Sequence, residues 1–248
     1  ADAMGRAFPE GQMTSFAIAE LPMVPLILAD IRDNEIVVPR AENARRRERI
    51  ARGIVAELGS VANACTAPRT GREIKEHGIL RTTTKAIRIG RLVADARRRR
   101  EDPVAALVEA EAGVTLFKGK VLDVERRITA GFLRGRARFL GLDGDRGTTF
   151  ELEFQNEYAV ARRDGEIVST TPDILCTMDS ESGEAVGTEM VRYGQRITVI
   201  ALPPPPMFLT PKALDHVGPR GFGYDFDYRS AFTRLSSRAW RGMTGAFD

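Results

Sequence analysis

A chain of 248 residues, 43% hydrophobic and 29% charged, is long enough for one large or two modest globular domains with buried cores. Its 37 basic residues against 34 acidic ones leave a formal charge of +3, too near balance to mark a nucleic-acid binder. No apolar run approaches the roughly 18 residues of a membrane span, and the longest, residues 21–29, is broken by Pro22 and Pro25.

Residues 1–12 read A-D-A-M-G-R-A-F-P-E-G-Q, which sets Asp2, Arg6, Glu10 and Gln12 among small and turn-prone residues. That composition suits a loop entering a site, yet no strand or helix stands ahead of it, so the chain reads as the C-terminal part of something longer. A strand-end Asp and Arg can orient a small polar substrate, as ligand sites in open α/β sheets do. They serve a turn equally well.

A mixed apolar stretch (14–29) and a β-branched strand (35–38) follow. Residues 43–58 place Ile50, Ile54, Val55 and Leu58 at helical spacing, with Gly59 as a stop. Further helices are predicted over 70–76 and 82–100, and Asp102-Pro103 opens a short one through 110. The runs Arg45-Arg46-Arg47 and Arg97 to Arg100 lie in helical sequence beside acids and read as solvated helix surface.

At Gly113 the period changes to two. Strands are predicted over 114–117, 119–125, 131–139 with alternating Arg134, Arg136 and Arg138, and 149–158, with turn signals at 143–145, 163–166, 182–184 and 193–195. The fold class is therefore α+β and multidomain: an α/β domain (1–112), an inserted β-barrel or sandwich domain (113–205), and a segment (206–248) that returns to the first. The proline run 203–206 is the connector, and the last twenty residues are expected to be weakly ordered.

Two further segments carry chemistry. Phe154-Gln155-Asn156-Glu157-Tyr158 places two amides and an acid in predicted strand, where they are costly unless hydrogen-bonded. Alternation puts Gln155 and Glu157 on one face and Asn156 on the other unless the strand bulges or ends, and an edge strand explains them as well. Gly218-Pro219-Arg220-Gly221-Phe222-Gly223-Tyr224-Asp225 offers a guanidinium, a hydroxyl and a carboxylate on a glycine-bearing loop, or a structural turn. Cys65 and Cys176 read as buried packing residues, and with only two histidines no Cys/His zinc cage is available from this chain alone. A reduced, cytoplasmic setting is the default.

Five ordered motifs carry a resemblance: D-A-M-G-R-A-F-P-E-x-Q-M at 2–13, G-K-V-x-D-V-E-R-R at 119–127, F-Q-N-E at 154–157, R-Y-G-Q-R at 192–196 and G-P-R-x-F-G-Y-D at 218–225. Together they resemble the DUF917 family, the S-methyl thiohydantoin desulfurase domain proteins associated with hydantoinase/oxoprolinase systems. Members of that family carry a further N-terminal region with a Gly-rich loop. The resemblance implies a hydrolase acting on a small cyclic amide or S-substituted thiohydantoin, water displacing a sulfur substituent or opening the ring. The alternative is a non-catalytic partner or ligand-sensing subunit of a hydantoinase/oxoprolinase-type enzyme.

Such a reaction needs a carboxylate to activate water and a cation or donor to hold negative charge. Glu10 and Glu157 are the candidate bases, Arg6 and Arg220 the candidate cations, and Asp2, Asn156, Tyr224 and Asp225 the candidate substrate-binding residues. No cofactor is expected, with a carboxylate-bound divalent metal left open. Expected partners are a small-molecule substrate, further copies of the chain in a homo-oligomer, and a hydantoinase/oxoprolinase subunit, with neither nucleic acid nor membrane. Residues 1–12 and 218–225 are expected to meet at one cleft, Asp2 and Glu10 neutralising Arg220 and Arg6 neutralising Asp225.

Overall fold

The structure, a computed structural model, describes residues 1–129 and 131–232. After one helical turn, α1 (Ser15–Ile18), three short strands form an antiparallel sheet: β1 (Leu26–Ala29), β2 (Glu35–Val38) and β3 (Asn63–Cys65), in the order β2-β1-β3. Between β2 and β3 runs α2 (Ala44–Glu57), which starts where the Asn43 side chain accepts the Arg46 N–H. Its apolar stripe, Ile50, Ala51, Ile54 and Val55, packs on Leu26, Leu28 and Val38. The cost of ordering this short sheet is offset mainly by that one shared layer.

Three more helices follow where the spacing placed them: α3 (Gly71–His77), α4 (Thr82–Arg99) and α5 (Pro103–Ala110). Thr70 and Glu73 form a reciprocal capping box at α3, and Asp102 accepts the N–H groups of Val104 and Ala105 at α5. Arg97 and Arg99 pair with Glu184 and Glu101, the solvated helix end expected of this run. Arg47, by contrast, is buried, so the first arginine run is not solvated throughout. Cys65 is exposed on β3 and is not the packing residue its small neighbours suggested.

The change of period at Gly113 coincides with the start of a seven-stranded antiparallel sheet. Its strands are β4 (Val114–Thr129), β5 (Phe132–Gly141), β6 (Thr149–Gln155), β7 (Glu157–Arg163), β8 (Glu166–Thr170), β9 (Ile174–Asp179) and β10 (Arg196–Leu202), in the order β8-β7-β6-β5-β4-β10-β9. The sheet curls until Phe117, Phe139, Phe150 and Leu152 share one core with Leu175 and Val199 from its other end. Phe117 and Phe150 stack there with ring centroids 4.8 Å apart. Strands β8 and β9 remain its two edges, so the barrel-like unit is a half-barrel. Helices α4 and α5 cover β9 and β10 through Val93, Val104 and Leu107 against Met178, Ile200 and Leu202.

One predicted strand is two in the structure. Residues 149–158 are two strands that reverse at Asn156, and both β6 and β7 lie inside the sheet, so the edge-strand explanation of 154–158 fails. The tail packs on the opening segment and on the sheet together. With α6 (Pro211–Val217), Phe208 and Phe222 pack with Phe8 and Met13 of the opening segment over Ala159 and Val160 of β7. Of the residues expected to be weakly ordered, 233–248 lie outside the described residues.

Candidate functional site

The site is organised by the corner between β6 and β7. Only Asn156 separates the strands, and it takes the left-handed conformation at φ 57°. Asn is among the few side chains that tolerate this, because its short amide can bond locally. Here Asn156 Oδ1 accepts the Leu133 N–H at 2.8 Å, and the Asn156 N–H donates to the Leu133 carbonyl at 2.7 Å. Gln155 and Glu157 thereby become direct cross-strand partners. Register carries the row on through Arg134 of β5 to Arg127 of β4. Opposed residues of an antiparallel pair share a face, so Arg127, Arg134, Gln155 and Glu157 form one polar row across four strands.

At the Glu157 end of this row stands Arg6. Its guanidinium donates to the carbonyls of Asp173 at 2.6 Å and Tyr158 at 3.2 Å, and also reaches those of Pro172 and Ala7. It thus ties β7 to the segment entering β9, across the open side of the half-barrel. Four of the five N–H groups of a guanidinium are used in this way, which leaves one. Burial lowers the pKa of Arg6, while the charges of Glu157 and Asp173 act to raise it.

The carboxyl of Glu157 makes no side-chain hydrogen bond among the described residues. Burial raises its pKa above 4.5, Arg6 opposes that shift, and Glu189 adds to it. This half-buried acid is therefore displaced toward the range in which a base can be regenerated. Beside it, burial pushes the Cys176 thiol up to about 11, which keeps the sulfur protonated and suits the packing role read from sequence. Asp173 is fully buried. It accepts bonds from Ser169 Oγ, the Tyr228 hydroxyl and the Ala231 N–H, although burial still raises its pKa.

At the Gln155 end the row opens on a cavity of about 660 Å³, walled by Arg127, Arg134, Gln155, Phe154, Phe222 and Tyr224 among others. Glu10 reaches this wall from the opening loop: Gln155 Nε2 donates to Glu10 Oε1 at 3.4 Å, and Gln12 Nε2 donates to Glu10 Oε2. The Tyr224 hydroxyl bonds Glu153. Its pKa is raised chiefly by burial, and by that carboxylate. Residues 1–12 and 218–225 thus do meet on one side of the molecule.

The expected charge pairings between them do not form. Arg220 is exposed and pairs with Asp227 at 2.9 Å, because seven residues of loop bring that acid back beside it. Asp225 is exposed too. Asp2 spends a carboxylate oxygen on the N–H groups of Met4 and Gly5. Burial acts to raise its pKa, but bonds from Thr82, Gly5 and Met4 outweigh it and hold the group below 3.8. Asp2 therefore shapes the opening turn.

Sequence reasoning missed the cavity arginines and Asp173. Alternation along 134–138 and 151–155 contained the signal for the first, whereas nothing around Thr171-Pro172-Asp173 marked the second. Among the described residues no group of three or more His, Cys, Asp or Glu side chains is placed to hold a metal ion, and no helix is long and apolar enough to cross a membrane.

Fold and site together define a mixed α and β protein whose curled sheet carries a half-buried acid at one corner, beside a half-buried arginine of the opening segment. The chain belongs to the S-Me-THD-like family: residues 1–40 match its N-terminal domain and residues 41–231 its C-terminal domain. The fold is also that of a crystal structure of a protein from Chromobacterium violaceum, 18% identical, with a TM-score of 0.71 over 92% of this chain. This chain spans 65% of the length of that protein. No curated protein is significantly similar to it.

Proposed function

We propose that this chain takes part in hydrolysis of an S-substituted thiohydantoin or a related small cyclic amide, with Glu157 as general base. The observation that carries the reading is the Glu157 carboxyl: half-buried, raised in pKa, free of side-chain hydrogen bonds among the described residues, and next to Arg6. Membership of the S-Me-THD-like family supports the choice of ring.

In this scheme a water oxygen bonds to the ring carbon that bears sulfur, and Glu157 takes one of its protons. The remaining N–H of Arg6 holds the negative charge that develops on the ring. Collapse breaks the carbon–sulfur bond. The sulfur leaves as the thiol with the proton returned by Glu157, and the second water proton ends on the ring nitrogen beside the new carbonyl. A base whose pKa is raised toward neutrality suits both halves of this cycle. Gln155 and Glu10 line the approach, and Asn156 fixes the corner that aims Glu157. Arg220, exposed and paired with Asp227, has no part in this scheme.

The test is methanethiol release from an S-methyl thiohydantoin by the full-length protein and its Glu157→Gln variant. Loss of a general base predicts a fall in kcat of about 10²-fold or more. Undiminished release by the variant would take Glu157 out of the reaction.

A further inference from the structure

The outer face of β4 to β7 is a lattice of ions in which most charges are matched. Glu125 pairs with Arg136 and Arg138, Glu151 with the same two arginines, and Glu153 with Arg162. Arg126 is occupied otherwise, donating to the carbonyls of Thr188 and Val191. Three acids and three arginines balance.

Arg127 and Arg134 form no ion pair among the described residues, although the Arg127 charge still reaches Glu125. They are direct cross-strand partners on β4 and β5, and both wall the cavity. Like charges placed opposite one another destabilise a sheet. Neither has a carboxylate within 4 Å among the described residues, and Arg134 Nε is buried with no hydrogen-bond partner. Two guanidiniums lining a cavity also walled by the half-buried ring of Tyr224 form a recognisable half of an ion pair.

We infer that this cavity is a binding site for the carboxylate of a small organic anion whose apolar part lies against the ring of Tyr224. The guanidinium fork matches a planar carboxylate in two parallel bonds. Glu125, Glu151 and Glu153 stand in the same wall and repel a phosphate dianion, which favours a singly charged ligand. The inference does not depend on hydrolysis at Glu157, because it concerns binding at the other end of the polar row.

The experiment is calorimetric titration of the full-length protein at low salt with phenylacetate, with benzyl alcohol as the uncharged analogue and with inorganic phosphate. Phenylacetate is expected to bind saturably and benzyl alcohol not to bind. Arg127→Gln and Arg134→Gln are each expected to weaken phenylacetate at least tenfold, and Arg134→Lys to weaken it because it keeps the charge but loses the fork. Folding of each variant is checked by urea unfolding, where loss of the like-charge pair should leave the midpoint unchanged or raised. Absence of saturable phenylacetate binding, or binding that ignores all three substitutions in folded protein, overturns the site. Phosphate binding more tightly than phenylacetate overturns the carboxylate assignment.

Discussion

Gln155 and Glu157 face each other across a corner one residue wide, and Asn156 between them closes it with a positive φ and a bond from its side chain to Leu133. The arrangement turns neighbours in sequence into neighbours on one face. Through the corner, Glu10 on the opening loop and Arg6 beside β7 come to serve a single row of side chains.

Replacing Asn156 tests how far that corner rests on its amide. Asn156→Ala must keep a left-handed conformation without the local bond, at an expected cost of about 2 kcal/mol. Asn156→Gly keeps the conformation and loses only the bond, for about 1 kcal/mol. Urea unfolding of the two variants should rank them in that order, and the reverse order would separate the corner from its side chain.

The sheet beneath the cavity depends on a glycine. A Cβ at Gly135 would lie 1.9 Å from the Glu125 carbonyl oxygen and 2.6 Å from the Phe154 ring, so Gly135→Ala must push apart two strands. A loss of about 3 kcal/mol or more is expected, of the kind overpacking produces. Gly90 in the middle of α4 is the control, since nothing lies within 4 Å of its Cβ position. Gly90→Ala should stabilise by about 0.5–1 kcal/mol through helix propensity alone. Thermal melts of the pair will show whether the two substitutions move in opposite directions.

Arg6 fastens the open side of the half-barrel as well as facing Glu157. In Arg6→Lys a single ammonium cannot reach the carbonyls of Tyr158 and Asp173 in the geometry of a planar fork. Leaving a buried carbonyl unpaired should cost about 2 kcal/mol, with faster amide exchange in β7 and β9 than in β4 and β5. Uniform exchange across the sheet would assign Arg6 to the site alone.

Much of this architecture was legible in the chain. The stripe Ile50–Ile54–Val55 gave α2, Asp102-Pro103 gave the start of α5, and the shift at Gly113 gave the sheet, because each is a local pattern with one structural solution. The corner at Asn156 was hidden. It has no glycine, and the residues on either side continue one alternating pattern, so only the tertiary bond to Leu133 distinguishes a turn from a strand. Arg6 was legible as a functional candidate but its partners were not, since Tyr158 and Asp173 lie more than 150 positions away. Arg220 misled for the opposite reason: its partner, Asp227, is local and a carboxylate more distant in sequence was expected.

Glu157 also sets a sign for stability against pH. Its folded pKa lies above the ordinary 4.5, chiefly through burial, so ionisation costs the folded state. The stabilising contribution is fully present below pH 4.5 and is lost as pH rises through the folded value. Glu157→Gln should remove this fall, which the difference between variant and wild-type unfolding free energies at pH 4 and pH 7 will reveal.

The most direct test of Glu157 as the base is the pH dependence of kcat/KM for methanethiol release by the full-length protein, measured alongside Glu189→Gln. A base must be ionised to act, so the rate should rise with pH through a value above 4.5. Because the Glu189 charge helps to raise the pKa of Glu157, the variant should carry that limb to lower pH with the plateau retained. A limb that stays where it was when Glu189 is neutralised, or a profile with no acid limb, would contradict the assignment.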